Sequence, residues 1–538
     1  MDDKNDKREG AKFSADEIFK EFKEHSISEF FKKNRQMLGY SGKVRSLTTI
    51  VHEYVTNSID ACEEAGILPD LYVEIKEVGE DRYMVKVSDN GPGIPKKLIG
   101  KALASILSGT KFHRYMQQRG QQGIGASGCT LFSQITTGKP IHVESRTSKE
   151  SYACDISIDI KTNKPIVSNL SEIGPSTSTG LTVSGEFGYS KFENSDHGVI
   201  EYLKRTVIAN PHTSIRLKVN AEPEIIFPRS TNVVPAHNKV IKPHPLGLEI
   251  NDLLDYAHAS DSRKLSSFLT ESFSRFSQDK VNELKQILPN IDFSKDPKTL
   301  SWGEAEQLIS AFKKVKWISP ELDSVSTIGA EQIKVSIKNI LNPDFISVIE
   351  RRPKVYRGGI PFVVEAAVAY GGGAGKAVEG GSAGNIMRFA NRVPLLFDSA
   401  SCAITIAVRD IQWKRYGIGD FDSEPITVMV NVSSVYVPYS GVGKEAIAEE
   451  DEIIDEIKLA VMDAARNLQR YIGGVRSKSE QETKYKAIMR YVNQLSIDLS
   501  ELTGEDKESI HRKLKQIIEK RYKKLFEDAS QSEIQSES

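Results

Sequence analysis

Glu53-Tyr-Val-Thr-Asn57-Ser-Ile-Asp60-Ala constrains this chain more than any other stretch. Residues three and four apart share a helical face, so Glu53, Asn57 and Asp60 line one side of a helix. Val51, Val55 and Cys62 follow another side of it. The spacing predicts a helix over 46–65 that buries one face and presents polar groups on the other. Two polar clusters follow downstream, Asp89-Asn90-Gly91-Pro92-Gly93-Ile94 and Arg119-Gly120-Gln121-Gln122-Gly123-Ile124-Gly125. Each is weak by itself; their order along the chain makes them one constellation.

Around the helix the pattern is α+β. Alternating apolar residues predict strands over 71–76 and 83–88, and again near 141–146, 152–160, 181–187 and 214–219. Residues 1–15 are polar enough to stay disordered, and 28–38 read as a short amphipathic helix burying Phe30 and Phe31. A first unit therefore spans 1–229. A segment rich in Pro, Asn and His over 230–245 opens a small helical module that ends near 320. Strand patterns return in 321–474, among them Phe362-Val-Val-Glu-Ala-Ala-Val-Ala-Tyr, Ala403-Ile-Thr-Ile-Ala-Val and Ile426-Thr-Val-Met-Val-Asn-Val. Ile453, Ile457, Val461, Ala464, Leu468 and Ile472 then mark one helical stripe, and Gly473-Gly474 divide it from a charged helical tail over 475–538.

Bulk properties exclude several classes. A formal net charge of −1 gives no global field toward nucleic acid, so any DNA contact must be a local basic patch. The four cysteines, Cys62, Cys129, Cys154 and Cys402, form no CxxC pair, which argues against a zinc site or a disulfide framework and fits a reducing cytoplasm. The charged N-terminus lacks the apolar core of a signal peptide. No apolar run is long enough to span a bilayer, so no membrane partner is expected.

The constellation suits nucleotide chemistry. Hydrolysis of ATP needs a group to orient water, a metal to neutralise phosphate charge and donors that hold the phosphates. Glu53 can polarise water, and Asn57 offers a neutral oxygen of the kind Mg²⁺ accepts while keeping most of its waters. An ordinary exposed helix face would look the same. Asp89 can accept a hydrogen bond from the adenine amine, and Gly93 lets backbone approach the base; a plain Asn-Gly turn is the rival reading. The loop of Gly120, Gly123 and Gly125 precedes a helix start at 126–132, where backbone amides bind phosphate. Neither a dinucleotide-binding βαβ unit nor a P-loop fits, since Gly371-Gly-Gly-Ala-Gly375-Lys376-Ala377 lacks the first glycine and the final Ser/Thr. Lys111 and Arg119 could add positive charge to the loop, and Lys444, in Tyr439-Ser-Gly-Val-Gly443-Lys444-Glu445, could reach a γ-phosphate. For each, the rival reading is an ordinary solvated residue, and for a lone loop lysine such as Lys444 that reading normally prevails.

Taken together, the chain resembles the B subunits of DNA topoisomerase VI, type IIB topoisomerases of the gyrase–Hsp90–histidine kinase–MutL ATPase superfamily. The resemblance runs from Glu29-Phe30-Phe31-Lys32-Lys33-Asn34 through the three clusters. It continues in Lys242-Pro-His-Pro-Leu-Gly, Ile340-Leu-Asn-Pro-Asp-Phe, Arg388-Phe-Ala-Asn-Arg-Val-Pro-Leu, Trp413-Lys-Arg-Tyr-Gly and Gly443-Lys444-Glu445-Ala-Ile-Ala-Glu. It implies a Bergerat-type ATPase domain with an N-terminal strap, a helix–two-turn–helix module, a transducer domain and a docking tail. It implies Glu53 as hydrolytic base, Asn57 as Mg²⁺ ligand, Asp89 as adenine reader and Lys444 as the lysine that reports nucleotide state. Asp60, Gly93, Ser108, Lys111, Gly120, Gln121, Gln122, Gly123, Ile124, Gly125 and Thr182 complete the expected nucleotide contacts. Thr182 sits where the chain reads Thr179-Gly180-Leu181-Thr182, a departure from the family's Gly-Thr; Ala126-Ser127-Gly128-Cys129 supplies no phosphate-contacting lysine.

Strand cleavage needs a nucleophilic tyrosine and an acidic metal cluster, and neither is recognisable; Asp420-Phe421-Asp422 reads as a loop. The resemblance therefore implies a separate DNA-cleaving A subunit, double-stranded DNA as substrate and an ATP-driven dimer of B subunits within an A2B2 heterotetramer. The rival reading is the same ATP clamp in a MutL-like or Hsp90-like role. A histidine kinase is poorly supported, because none of the ten histidines lies in a recognisable dimerisation helix.

Overall fold

The computed structural model describes residues 39–105, 115–120, 123–159, 162–174, 178–378, 381–441 and 443–534. The expected disordered start, the helix over 28–38 and most of the strap lie outside the described residues.

The N-terminal region is an eight-stranded sheet covered by helices. Its strands are β1 (Asp70–Gly79), β2 (Arg82–Ser88), β3 (Ile141–Arg146), β4 (Ser151–Asp159), β5 (Lys164–Glu172), β6 (Gly180–Phe187), β7 (Ser214–Val219) and β8 (Ile225–Phe227), in the order β5-β4-β3-β6-β2-β1-β7-β8. Only β1 and β7 pair in parallel here. Leu71, Val73 and Ile75 of β1 and Tyr83, Val85 and Val87 of β2 are buried while their neighbours are not, as alternation demands of a sheet packed on one face. Helices α1 (Lys43–Glu64), α2 (Ile99–Ala104), α3 (Gly125–Thr137) and α4 (Val199–Ala209) cover that face. In α1, Leu47, Ile50, Val51, Tyr54, Val55 and Ile59 fill the core, which leaves the side carrying Glu53 and Asn57 for a cavity. Strands β5 and β8 escaped the sequence reading because β5 is an exposed edge and β8 is three residues long.

Four short helices, α5 (Ile250–Ala259), α6 (Leu265–Ser272), α7 (Gln278–Ile287) and α8 (Trp302–Phe312), form a separate core around Phe268, Leu269, Phe273 and Phe312. Ser301 and Glu304 close a capping box at the start of α8, which satisfies amides that have no partner inside the helix.

The third region holds α9 (Ala330–Leu341), strands β9 (Phe345–Glu350), β10 (Lys354–Tyr356) and β11 (Ile360–Tyr370), a short ribbon of β12 (Lys376–Val378) and β13 (Gly381–Ala383), then β14 (Asn385–Ala390), β15 (Val393–Pro394), α10 (Ala403–Arg409) and β16 (Ile426–Ser434). Strands β11 and β16 are buried almost throughout, because helices pack on both sheet faces. Helix α9 lies on one face together with Ile208 and Ala209 of α4, so this core is shared with the N-terminal region. On the other face lie α10 and the first half of α11 (Asp451–Thr503).

Two expectations change. Ala403-Ile-Thr-Ile-Ala-Val is a helix, not a strand: Ala403, Ile404, Ala407 and Val408 are buried at helical spacing, and packing on α11 overrides the β-branched composition. Gly473-Gly474 do not interrupt α11, so a boundary at 474 falls inside one continuous helix. Its propagating hydrogen bonds outweigh the glycine penalty of about 1 kcal/mol each. At Gly504, in a left-handed conformation, the chain turns back into α12 (Lys507–Ile534). A 3-10 turn spans Phe421–Ser423, with Asp420 capping it and Asp422 paired to Arg409.

Candidate nucleotide site

A cavity of about 1010 Å³ opens between α1, the turn after β2, the glycine loop before α3 and the 439–447 loop of the third region. Glu53, Asn57, Asp89, Gly93, Gly120, Gly123, Ile124, Gly125 and Lys444 all line it. Helix α1 supplies Glu53 and Asn57 one turn apart, with Asn57 exposed into the space.

Asp89 is held from three directions. Its Oδ2 accepts from Ser58 Oγ at 2.7 Å; its Oδ1 accepts from the amides of Gly91 at 2.9 Å and Leu181 at 3.1 Å. Burial raises its pKa, and these three bonds oppose the shift. Gly93 has φ +71°, and a Cβ there would stand 2.5 Å from the Arg146 carbonyl oxygen. Glycine is therefore required by β3 as well as by any base that approaches.

The glycine loop ends in α3, whose N-cap, Ile124, offers no side-chain acceptor to the first amides. Amides left free at a helix start attract anions. A Cβ built on Gly125 would overlap the Glu53 carboxylate, so glycine there sets how closely the loop approaches Glu53.

Three of the expected residues are engaged elsewhere. Arg119 lines the cavity, but its buried guanidinium is engaged on the far side: it donates to Asp60 Oδ1 at 2.6 Å, to both Glu63 oxygens at 2.7 and 2.8 Å and to Asn210 Oδ1 at 2.6 Å. Asp60, accordingly, is absent from the cavity lining, because Arg119 occupies its carboxylate. Burial alone would raise the Glu63 carboxyl, but the Arg119 charge and the His212 ring 2.7 Å away hold it well below the usual range. Thr182 is also absent from the lining: on β6, Leu181 and Val183 face the cavity, and the period of two turns Thr182 away to Ser88 Oγ at 2.9 Å. Ser108, Lys111, Gln121 and Gln122 lie outside the described residues.

Lys444 reaches the cavity with φ +51° in a turn closed by its amide to the Gly441 carbonyl at 3.1 Å. Its Nζ lies 6.0 Å from the Tyr439 ring centre. Burial lowers the pKa of His52, with Glu53 opposing and Lys444 assisting, so the three groups share one electrostatic neighbourhood. Sequence reasoning missed His52, Ser58, Arg45 and Glu445. Ser58 alone carried a local signal, since it stands inside the α1 cluster.

Comparison with known proteins defines the class first. Residues 42–162 match the family of histidine kinase-, DNA gyrase B- and HSP90-like ATPases. Residues 320–497 match the topoisomerase VI B subunit transducer. The chain is 43% identical to the B subunit of type 2 DNA topoisomerase 6 from Pyrococcus horikoshii, over 94% of this chain and 96% of that one. Identity to the same protein of Methanothermobacter thermautotrophicus is also 43%, over 93% and 96%. The chain belongs to the family of type 2 DNA topoisomerase 6 B subunits. It is thus a type II topoisomerase subunit with an ATPase region and a transducer region. The ATPase region of Saccharomyces cerevisiae topoisomerase II superposes with a TM-score of 0.39 at 10% identity, covering 84% of this chain and 98% of that one; so loose a superposition carries no inference. Among the described residues, no helix is long and apolar enough to cross a membrane.

Proposed function

We propose that the cavity binds and hydrolyses ATP, and that two copies of the chain close on ATP to gate the passage of one DNA duplex through a break made by a separate A subunit. One observation carries this reading: Glu53, Asn57, Asp89, the glycines Gly120, Gly123 and Gly125 and Lys444 line a single cavity, although Lys444 belongs to a different region from the others. Asp89, fixed by Ser58, Gly91 and Leu181, accepts from the adenine amine through its remaining lone pairs. The loop of Gly120, Gly123 and Gly125 cradles the phosphates with backbone amides. Glu53 orients a water and accepts its proton as the new bond to the γ-phosphorus forms and the bond to the β-phosphate oxygen breaks.

Asn57 fits a magnesium ion, since its carboxamide is exposed into the cavity one turn from Glu53. Bound there, the ion supplies charge neutralisation on the phosphates. Lys444 approaches from the transducer and reports whether a γ-phosphate is present. The long α11–α12 hairpin gives the A subunit a surface to dock on, within an A2B2 assembly. The alternative MutL-like or Hsp90-like clamp is not favoured, because the transducer match and the near full-length relatives point to topoisomerase VI.

The test is Glu53→Ala. Turnover should fall by roughly 10²–10⁴-fold while nucleotide affinity and ATP-dependent dimerisation persist. Loss of binding in parallel with turnover removes Glu53 from the role of base. Copurification of the full-length chain with a stoichiometric protein bearing a tyrosine and an acidic metal cluster supports the A subunit; a mismatch-repair or chaperone partner supports the alternative.

A further inference from the structure

The turn that presents Lys444 is tied to both regions. Its base belongs to the transducer: Ser440 N donates to the Ala446 carbonyl at 2.9 Å, Ala403 N to the Ile447 carbonyl at 3.0 Å, and Ala446 and Ile447 are fully buried. Its tip is held by the ATPase region. Glu445, next to Lys444, accepts from Arg45 Nε at 3.0 Å, and a second guanidinium nitrogen of Arg45 pairs with the other carboxylate oxygen. The pair joins residues 400 positions apart.

The surroundings fix that pair. The Arg45 guanidinium carbon lies 4.5 Å over the Phe397 ring, and a terminal nitrogen is 3.7 Å from Asp398. Arg388, buried in β14, donates to the Phe397 carbonyl at 2.7 Å and to the Glu445 carbonyl at 3.4 Å. One transducer arginine thus holds the backbone under both partners of the Arg45 contact. The two charged side chains are only 19% and 12% exposed, so water competes weakly for the bidentate geometry.

Arg45 and Glu53 stand on the same helix, eight residues apart. At 1.5 Å per residue, about 12 Å of rigid helix links the anchor of the Lys444 turn to the base. A lysine on a turn tied only to the transducer would wander relative to Glu53; Glu445 removes that freedom.

We infer that Arg45 and Glu445 are positioning residues for hydrolysis: their cross-region ion pair sets Lys444 against the α1 helix that carries Glu53, and releasing it uncouples the lysine from the site. The inference rests on the role given to Lys444 above. Arg45 is absent from the cavity lining, and Glu445, which does line it, has its carboxylate paired with Arg45, so the pair acts on turnover rather than on affinity.

A double-mutant cycle on the full-length chain tests it, with Arg45→Ala, Glu445→Ala and the double variant beside Lys444→Ala. The readouts are kcat, KM for ATP, ADP affinity and thermal melting. Each single variant should lose roughly tenfold in kcat with KM and ADP affinity within about twofold of wild type, and the double variant should be no worse than either single. Multiplying losses, or normal turnover in Glu445→Ala beside an inactive Lys444→Ala, overturns the inference and leaves the lysine's role standing. Normal turnover in Lys444→Ala overturns that role and the inference with it. Should an alanine variant fail to fold, Glu445→Gln keeps an acceptor for Arg45 Nε without the charge and should show a smaller loss in kcat alone. A loss confined to melting temperature or ADP affinity assigns the pair a purely structural part.

Discussion

Around Arg119 the ATPase region meets the transducer through a chain of buried polar groups; around Arg45 it meets the transducer through one bidentate ion pair beside the cavity, with Asp398 and Phe397 close by. The sealed junction is a network. Arg119 binds Asp60, Glu63 and Asn210, and Asn210 donates to the carbonyl of Arg392 at 3.0 Å. The Arg392 amide donates to Asn431 Oδ1 at 3.1 Å, and Asn431 in turn donates to the buried Glu365 at 2.8 Å. Gln117 exchanges two bonds with Ser326, at 2.6 and 2.9 Å. The junction at the mouth is Arg45 with Glu445, braced by Phe397. A sealed network resists opening, because each exposed member would leave a partner buried and unpaired. The Arg45–Glu445 pair is shielded to a similar degree, but it is a single ion pair with Asp398 nearby, so parting it leaves fewer buried groups unpaired. The first junction therefore behaves as a joint, and the second as a release point.

The largest test of that contrast is Arg119→Met. It leaves Asp60 and Glu63 buried beside an apolar side chain and should destabilise the N-terminal region by about 3–5 kcal/mol in urea unfolding. A cost below about 1 kcal/mol would make the two junctions alike. Next comes the pH dependence of the joint. Glu63 has a folded pKa below its ordinary 4.5, so its contribution is fully present above that value and fades as pH falls through the lower folded value. The stability gap between wild type and Glu63→Gln should accordingly be constant near neutrality and narrow below pH 4.5. A gap that widens in acid removes the ionised carboxylate from the network. The smallest effect on stability belongs to Arg45→Ala: it strands one shielded carboxylate where Arg119→Met strands two, so it should cost less stability than Arg119→Met, while its effect on turnover is the larger one. A destabilisation equal to that of Arg119→Met would make Arg45 part of the joint.

The expected residues that the structure gathers around one cavity are those whose sequence signal is local. Glu53 and Asn57 are legible because one helical turn separates them, and Asp89 with Gly93 because a strand must end in a turn. Asp60 misled for the same reason: periodicity put it on the Glu53 face but carried no sign of Arg119, which arrives from a distant loop. Thr182 was misplaced by motif order, where a strand's period of two decided its direction. Ala403-Ile-Thr-Ile-Ala-Val showed the limit of propensity, since a short apolar run takes the form its neighbours can pack.

By itself the sequence determined the helical faces, most strands of the N-terminal sheet, the nucleotide-type constellation and the family that its motifs resemble. Those properties follow from contacts within a few residues, whose geometry the backbone fixes. Tertiary structure alone decided that Arg119 is a buried joint, that Glu445 reaches Arg45 across 400 residues and that α11 runs through Gly473-Gly474 without a break. Such pairings depend on which surfaces exclude water together, and no local spacing encodes them.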